Sequence, residues 1–152
     1  MLNNNQYKLV NVTKDDYDLL FIWANDYEVR ANSFNTDEIK YDEHVKWFES
    51  KLKQDTSSMY ILEIQNKKIG LVRLDKILAH KYLINYSIAR EYRGQGYGTI
   101  LLKLIKEKYN SNLLIGKVKK DNIASIRAFK NAGYYMRQDS EIYTFYSKNF
   151  EL

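Results

Sequence analysis

The spacing of hydrophobic and polar residues divides the chain into short elements. Tyr7 to Asn11 alternates polar and apolar residues, the two-residue period of a half-buried strand. From Asp15 to Asp26 the period lengthens. Leu19, Ile22 and Trp23 fall at helical spacing behind Thr13, a good N-cap residue. A second helix is predicted over Asp42 to Leu52, where Val45, Phe48 and Leu52 share a face. Met59 to Ile64 and Ile69 to Leu74 are β-rich runs separated by Gln65-Asn66-Lys67-Lys68, a hairpin turn. Tyr82 to Ala89 is a third run and leads into a glycine-rich loop at Arg93 to Gly98. A long amphipathic helix follows, carrying Ile100, Leu101, Leu104, Ile105 and Lys108. Leu113 to Val118 is a strand, Ile123 to Ala132 a helix stopped by Gly133, and Tyr134 to Arg137 and Ile142 to Tyr146 close the chain as strands. The resulting order, β-α-α-β-β-β-α-β-α-β-β, predicts an α/β (α+β) protein with a mixed sheet and helices on both faces.

Composition narrows the function classes. The 152 residues are 45% hydrophobic and 28% charged, with no proline, repeat or low-complexity tract, so one domain over residues 1–152 is expected. Without cysteine there is no disulfide, thiolate site or Cys nucleophile, and His44 and His80 alone are too few for a multi-histidine metal centre. Met1 to Asp16 lacks the apolar stretch of a signal peptide and no apolar run is long enough to span a bilayer, so the expected compartment is the cytoplasm, with no membrane partner. The net charge of +5 is compatible with nucleic acid or with a small polyanion. The basic residues are scattered from Lys8 to Lys148 with no run longer than Lys119-Lys120, which favours the small polyanion over nucleic acid.

The candidate chemistry lies in Tyr86-Ser87-Ile88-Ala89-Arg90-Glu91-Tyr92-Arg93-Gly94-Gln95-Gly96-Tyr97-Gly98-Thr99, where a strand ends, glycines alternate and a helix begins. Amides at a helix N-terminus have no intrahelical partner, the helix dipole adds positive charge there, and glycine lets a diphosphate reach the backbone. No lysine precedes Thr99, so this is not a P-loop. The Gly94-x-Gly96-x-Gly98 spacing in mid-chain is not the dinucleotide fingerprint either.

Arg93-Gly94-Gln95-Gly96-Tyr97-Gly98 resembles the Arg/Gln-x-x-Gly-x-Gly/Ala signature of the GNAT superfamily of N-acetyltransferases. Asn122-Ile123-Ala124-Ser125 through Phe129 to Gly133-Tyr134 is similar to that superfamily's second motif. The resemblance implies a mostly antiparallel sheet of six to seven strands, splayed in the middle, and direct transfer of an acetyl group from acetyl-CoA to an amine without a metal. It implies that the backbones of Ile88 and Ala89 pair with the pantetheine arm, with the Ala89 amide as oxyanion donor. Amides from Arg93, Gly94, Gln95, Gly96, Tyr97, Gly98 and Thr99 would hold the pyrophosphate, Asn122 the arm, and Phe129 would pack near the sulfur. Phe129 stands where many members carry a tyrosine that protonates the thiolate, so a donor is sought among Tyr134, Tyr135 and Tyr143. Leu83 replaces a strand glutamate of some relatives. That leaves Glu63, Asp75, Glu43 and His44 as candidate bases, or a water ordered by Asn85 and Ser87. Retention of the cradle without turnover would instead make a cofactor sensor.

For the acceptor, Trp23-Ala24-Asn25-Asp26, then Arg30 and Ser33, then Glu43-His44 with Trp47-Phe48 resemble acetyltransferases of nucleotide-linked amino sugars. Asn25, Arg30, His44, Trp47 and Arg73 are the acceptor candidates, Trp47 for a base and Arg30 or Arg73 for a diphosphate. Trp23 and Phe48 are expected in the core. Protein N-terminal or ribosomal-protein and aminoglycoside acceptors are the alternatives, and either a monomer or a homodimer is compatible with the sequence.

Overall fold

The computed structural model describes residues 6–149; the ends of the expected 1–152 unit lie outside them. Seven strands form one sheet, ordered β1-β2-β3-β4-β5-β7-β6. They are β1 (Tyr7–Asn11), β2 (Ser57–Ile64), β3 (Lys67–Leu78), β4 (Lys81–Ile88), β5 (Leu113–Lys119), β6 (Tyr135–Gln138) and β7 (Ile142–Tyr146). All neighbours are antiparallel except β4 and β5. The helices are α1 (Tyr17–Ala24), α2 (Tyr27–Asn32), α3 (Tyr41–Lys53), α4 (Tyr97–Lys108) and α5 (Ile123–Asn131).

Two apolar clusters fix the layers. On one face Leu101, Leu102 and Ile105 of α4 and Ile126 and Phe129 of α5 bury against Val72, Leu74, Ile84, Leu114 and Phe145 of the sheet. On the other, Leu20 and Trp23 of α1 and Phe48 of α3 bury against Met59, Ile61 and Ala89. Burial of each such large side chain contributes about 1.5–3 kcal/mol.

The sequence-predicted elements recur with shifted bounds. Thr13 does cap, but within a capping box with Asp16 that opens a short 3-10 turn ahead of α1. The helix expected through Asp26 stops at Ala24, and Asp26 instead caps α2, which the hydrophobic period did not reveal. The β2–β3 turn needs only Gln65 and Asn66, both at positive φ (51° and 66°), rather than four residues. Gly133 stops α5 at φ +84°. Its amide donates to the Lys130 carbonyl and that of Tyr134 to the Phe129 carbonyl, while the Tyr134 and Phe129 rings meet at 5.0 Å.

The feature that makes a site is the splay. β4 and β5 pair with each other only from Lys81–Leu113 to Ile84–Gly116, after which β4 stays paired with β3 and β5 with β7 while the two part. Phe129 sits behind the fork, stacked on Phe145 at 4.8 Å. A Cβ at Gly116 would lie 2.4 Å from its ring tip, so only glycine fits there.

Candidate active site

The splay opens into a cleft of about 520 Å³ bounded by the ends of β4 and β5, the N-terminus of α4, one face of α5, and α2 with the loop after it. Of the sequence-predicted residues, Asn85, Ser87, Ile88, Arg93, Gly94, Gly96, Tyr97, Gly98, Thr99, Asn122 and Phe129 line it together.

Strand alternation decides which backbone groups are available. The Ala89 amide donates to the Ile69 carbonyl at 2.8 Å. In an antiparallel ladder, successive residues point their backbone groups to opposite sides. Ser87 and Asn85 therefore also face β3, while Tyr86 and Ile88 face the splay. No pairing continues past Ile84–Gly116, so the Tyr86 groups and the Ile88 amide have no ladder partner. The Ala89 amide, expected as the oxyanion donor, is thus committed to the Ile69 carbonyl, and the amide left without a ladder partner is that of Ile88, one residue earlier.

At the loop, Gly94 and Gly96 adopt φ +77° and +85°, and the space beyond each α-carbon is open. Gly96 is the N-cap of α4, so the amides after it point out of the helix end toward the cleft. Gln95 is exposed and its Nε2 donates to the Glu91 carbonyl at 3.4 Å. The Arg93 side chain turns away from the loop. Its Nε donates to the Ile88 carbonyl at 3.0 Å, Nη2 to Asp26 at 2.8 Å and Nη1 to Glu28 at 3.2 Å. Burial pushes the Asp26 carboxyl up. The Arg93 hydrogen bond, the Val29 amide and the charges of Arg93 and Arg90 outweigh it and hold Asp26 below the usual carboxylate range.

Asn122 caps α5, its Oδ1 accepting from the Ser125 amide at 3.3 Å, which leaves its side-chain NH2 free. Ser125 Oγ accepts from the Tyr86 hydroxyl at 3.0 Å. Tyr86, which the sequence did not single out as a site residue, lies edge-on to Phe129 at 5.8 Å, and burial pushes its phenol up to about 12. Its signal was present in the β4 alternation, which turns Tyr86 toward α5.

Several candidates are held elsewhere. Tyr134 is buried with its hydroxyl on the Leu102 carbonyl (2.9 Å) and its pKa raised by burial, so it is not a proton donor in the cleft. Tyr135 and Tyr143 do not line the cleft. Asn25 brackets the Ile39 backbone with two hydrogen bonds, and Arg30 donates to the carbonyls of Ala24, Asn35 and Asp37 and to Ser33. His44 is buried between α1 and α3, its Nε2 donating to the Tyr17 carbonyl at 3.1 Å. These three side chains brace the α1–α3 region, chiefly through bonds to backbone carbonyls. Glu43 and Glu63 stand outside the cleft, and Asp75 is tied to Lys51, Arg73 and Ser57. Trp47 and Arg73 do come together, with the guanidinium 5.2 Å from the ring centroid. Arg73 is the cross-strand partner of Asn85, so this pair extends the Asn85 face of the sheet.

A sheet forked between β4 and β5, with a helix N-terminus at the fork, is the arrangement the glycine-loop resemblance implied. Residues 7–135 match the family model described as "Acetyltransferase (GNAT) domain". The chain belongs to this family, whose class is the acetyl-CoA-dependent N-acetyltransferases. It is 28% identical over 83 residues to an uncharacterized N-acetyltransferase of Methanocaldococcus jannaschii, a match covering 52% of this chain and 53% of that protein. The chain thus spans about half the length of the curated relative it matches. Among solved structures it is similar to spermidine N-acetyltransferase from Vibrio cholerae in complex with CoA and spermine, with TM-score 0.83, 17% identity, and 94% and 95% of the two chains covered. It is also similar to the aminoglycoside acetyltransferase AAC(6')-Ib (0.79, 15%, 93% and 92%). A third is RimL, a ribosomal L7/L12 alpha-N-protein acetyltransferase in complex with coenzyme A (0.79, 13%, 94% and 94%). At these identities the likeness is one of fold. Among the described residues no helix is long and apolar enough to cross a membrane.

Proposed function

We propose that this protein moves the acetyl group of acetyl-CoA directly onto a primary amine of a nucleotide-linked amino sugar. The observation that carries the choice of acceptor is charge. Among the described residues that line the cleft, Glu28 is the one carboxylate, and it is paired with Arg93. Polyamines and aminoglycosides, the cargo of structurally similar enzymes, bring several positive charges and need carboxylates to meet them. This cleft instead carries Lys117 and Arg127, both exposed, and the Trp47–Arg73 pair lies further along the Asn85 face. A planar base on Trp47 and a diphosphate beside Arg73 fit that chemistry.

Bound acetyl-CoA supplies a thioester carbon for the amine and a thiol leaving group with a pKa near about 8.5, acidic enough to depart as thiolate. The residues do the rest. The Tyr86 and Ile88 backbone groups hold the arm as an added strand would, and the Ile88 amide stabilises charge developing on the carbonyl oxygen. Amides from Gly94 to Thr99 hold the pyrophosphate at the α4 N-terminus. The side-chain NH2 of Asn122 donates to the arm, and Phe129 forms the apolar wall at the fork. Among the described residues no carboxylate or imidazole is free in the cleft, so Asn85 and Ser87 order the water that accepts the amine proton.

The test is release of free thiol from acetyl-CoA against UDP-linked 4-amino sugars, spermidine, an aminoglycoside and a ribosomal N-terminal peptide. Turnover on the sugar nucleotide well above hydrolysis is expected. Preference for spermidine or the aminoglycoside would overturn the charge argument. Tight cofactor binding with no turnover on any amine would favour the sensor reading.

A further inference from the structure

We infer that α2 is a strap tied across the open end of the splay by Arg93 and Lys119, and that these two side chains position the acceptor. The inference rests on the reading of the cleft just given.

None of the six residues of α2 is fully buried, so polar ties carry much of its placement: Arg30 bonds the carbonyls of Ala24, Asn35 and Asp37, and further ties lie at its two ends. At its N-terminus Asp26 accepts from the amides of Glu28 and Val29, and its carboxylate receives the Arg93 guanidinium. The same guanidinium holds the Ile88 carbonyl, on the residue whose amide faces the splay. Asp26 is only 14% exposed and Glu28 59%, so the Asp26 contact is the one shielded from water. Near the C-terminus of α2, Lys119 on β5 donates to the Ala31 carbonyl at 3.2 Å. One tie thus comes from the loop after β4 and the other from β5, the two strands that part. Between them Val29, Asn32, Ser33 and Phe34 form a wall of the cleft. Phe34 is 63% exposed and leaves an apolar edge for a sugar or base to cover.

Arg30 braces α2 against residues 24, 35 and 37, while the Arg93 and Lys119 ties fix it to the two parting strands. A wall so placed sets where the amine stands relative to the thioester, and displacement by an ångström costs rate. Arg93 also shares the Ile88 carbonyl, so a cofactor arm seated on Ile88 holds in place the residue that fixes the strap. Arg93 is therefore a positioning residue joining the two halves of the reaction, and Lys119 is its counterpart on the other strand.

The experiment compares wild type, Arg93→Lys, Asp26→Asn and Lys119→Met by acetyl-CoA calorimetry, by thiol release with the best acceptor of the panel above, and by thiol release without acceptor. The expected result is acceptor KM raised about tenfold, the scale of one charge-assisted hydrogen bond. In Asp26→Asn and Lys119→Met, acetyl-CoA affinity should stay within about threefold, and acceptor-free hydrolysis should be unchanged or faster because water enters past a loosened strap. Lys119→Met guards against a folding artefact, since its tie is a single surface contact. If acetyl-CoA affinity falls as much as acceptor KM rises in Asp26→Asn and Lys119→Met, or if KM moves less than twofold in folded protein, the strap does not position the acceptor. Failure of wild type to bind acetyl-CoA would instead overturn the reading of the cleft itself.

Discussion

At the scale of residues the cleft is defined by what is missing. Gly94 and Gly96 lack a Cβ where φ is positive and space is open. Gly116 lacks one where the Phe129 ring needs the room. Gly96 gives the cleanest test because asparagine tolerates its left-handed conformation. Gly96→Asn should fold, with a melting temperature within a few degrees of wild type, and place a side chain where a diphosphate would approach. Loss of one charge-assisted contact is about 1.5–3 kcal/mol, so calorimetry should record a ten- to hundredfold weaker acetyl-CoA affinity. An unchanged affinity would remove the loop from the site. The glycine pattern was legible in the sequence because it is a matter of residue type. Which amide is free at the splay was not, because it turns on whether Ile88 or Ala89 faces it. That one-residue phase is set by the bond from the Ala89 amide to Ile69, far away in sequence.

At the scale of elements, legibility followed burial. α4 and α5 each bury a regular apolar stripe and were read from their period. α2 buries nothing, so it left no period, and its cap Asp26 looked like the end of the preceding helix. Two of its neighbouring joints titrate. Burial holds the His44 imidazole between α1 and α3 below its ordinary value, against smaller opposing effects from the Tyr17 carbonyl and Asp18. The unfolded chain therefore binds a proton that the folded chain refuses. Stability should be full above about pH 6.5, and fall as pH drops from there to the lowered folded value. Asp26 acts at lower pH. Its depressed pKa gives stability that is present above about pH 3.9 and is lost as pH falls through the folded value. Melting temperature against pH should show both acid-side losses, and His44→Gln should remove the upper one. A profile for His44→Gln identical to wild type would place the upper loss elsewhere.

At the scale of the whole molecule, seven strands and helices on both faces were foreseeable from the order of elements. The order β5-β7-β6 and the extent of the fork were not, since pairing between distant strands carries no local signature. Both apolar clusters meet the sheet near the fork: Phe129 and Ile84 close it from the α4–α5 side, and Ala89 belongs to the α1–α3 cluster. The strands are thus held together below the fork by packing and left open above it for a ligand. A crystal structure with coenzyme A tests this claim most directly. The pantetheine arm should lie between residues 85–88 and 117–119, hydrogen-bonded to the Tyr86 and Ile88 backbone groups, with the pyrophosphate on the amides of 94–99. An arm lying outside the fork, or β4 and β5 zipped together past Gly116 with the cofactor elsewhere, would contradict it.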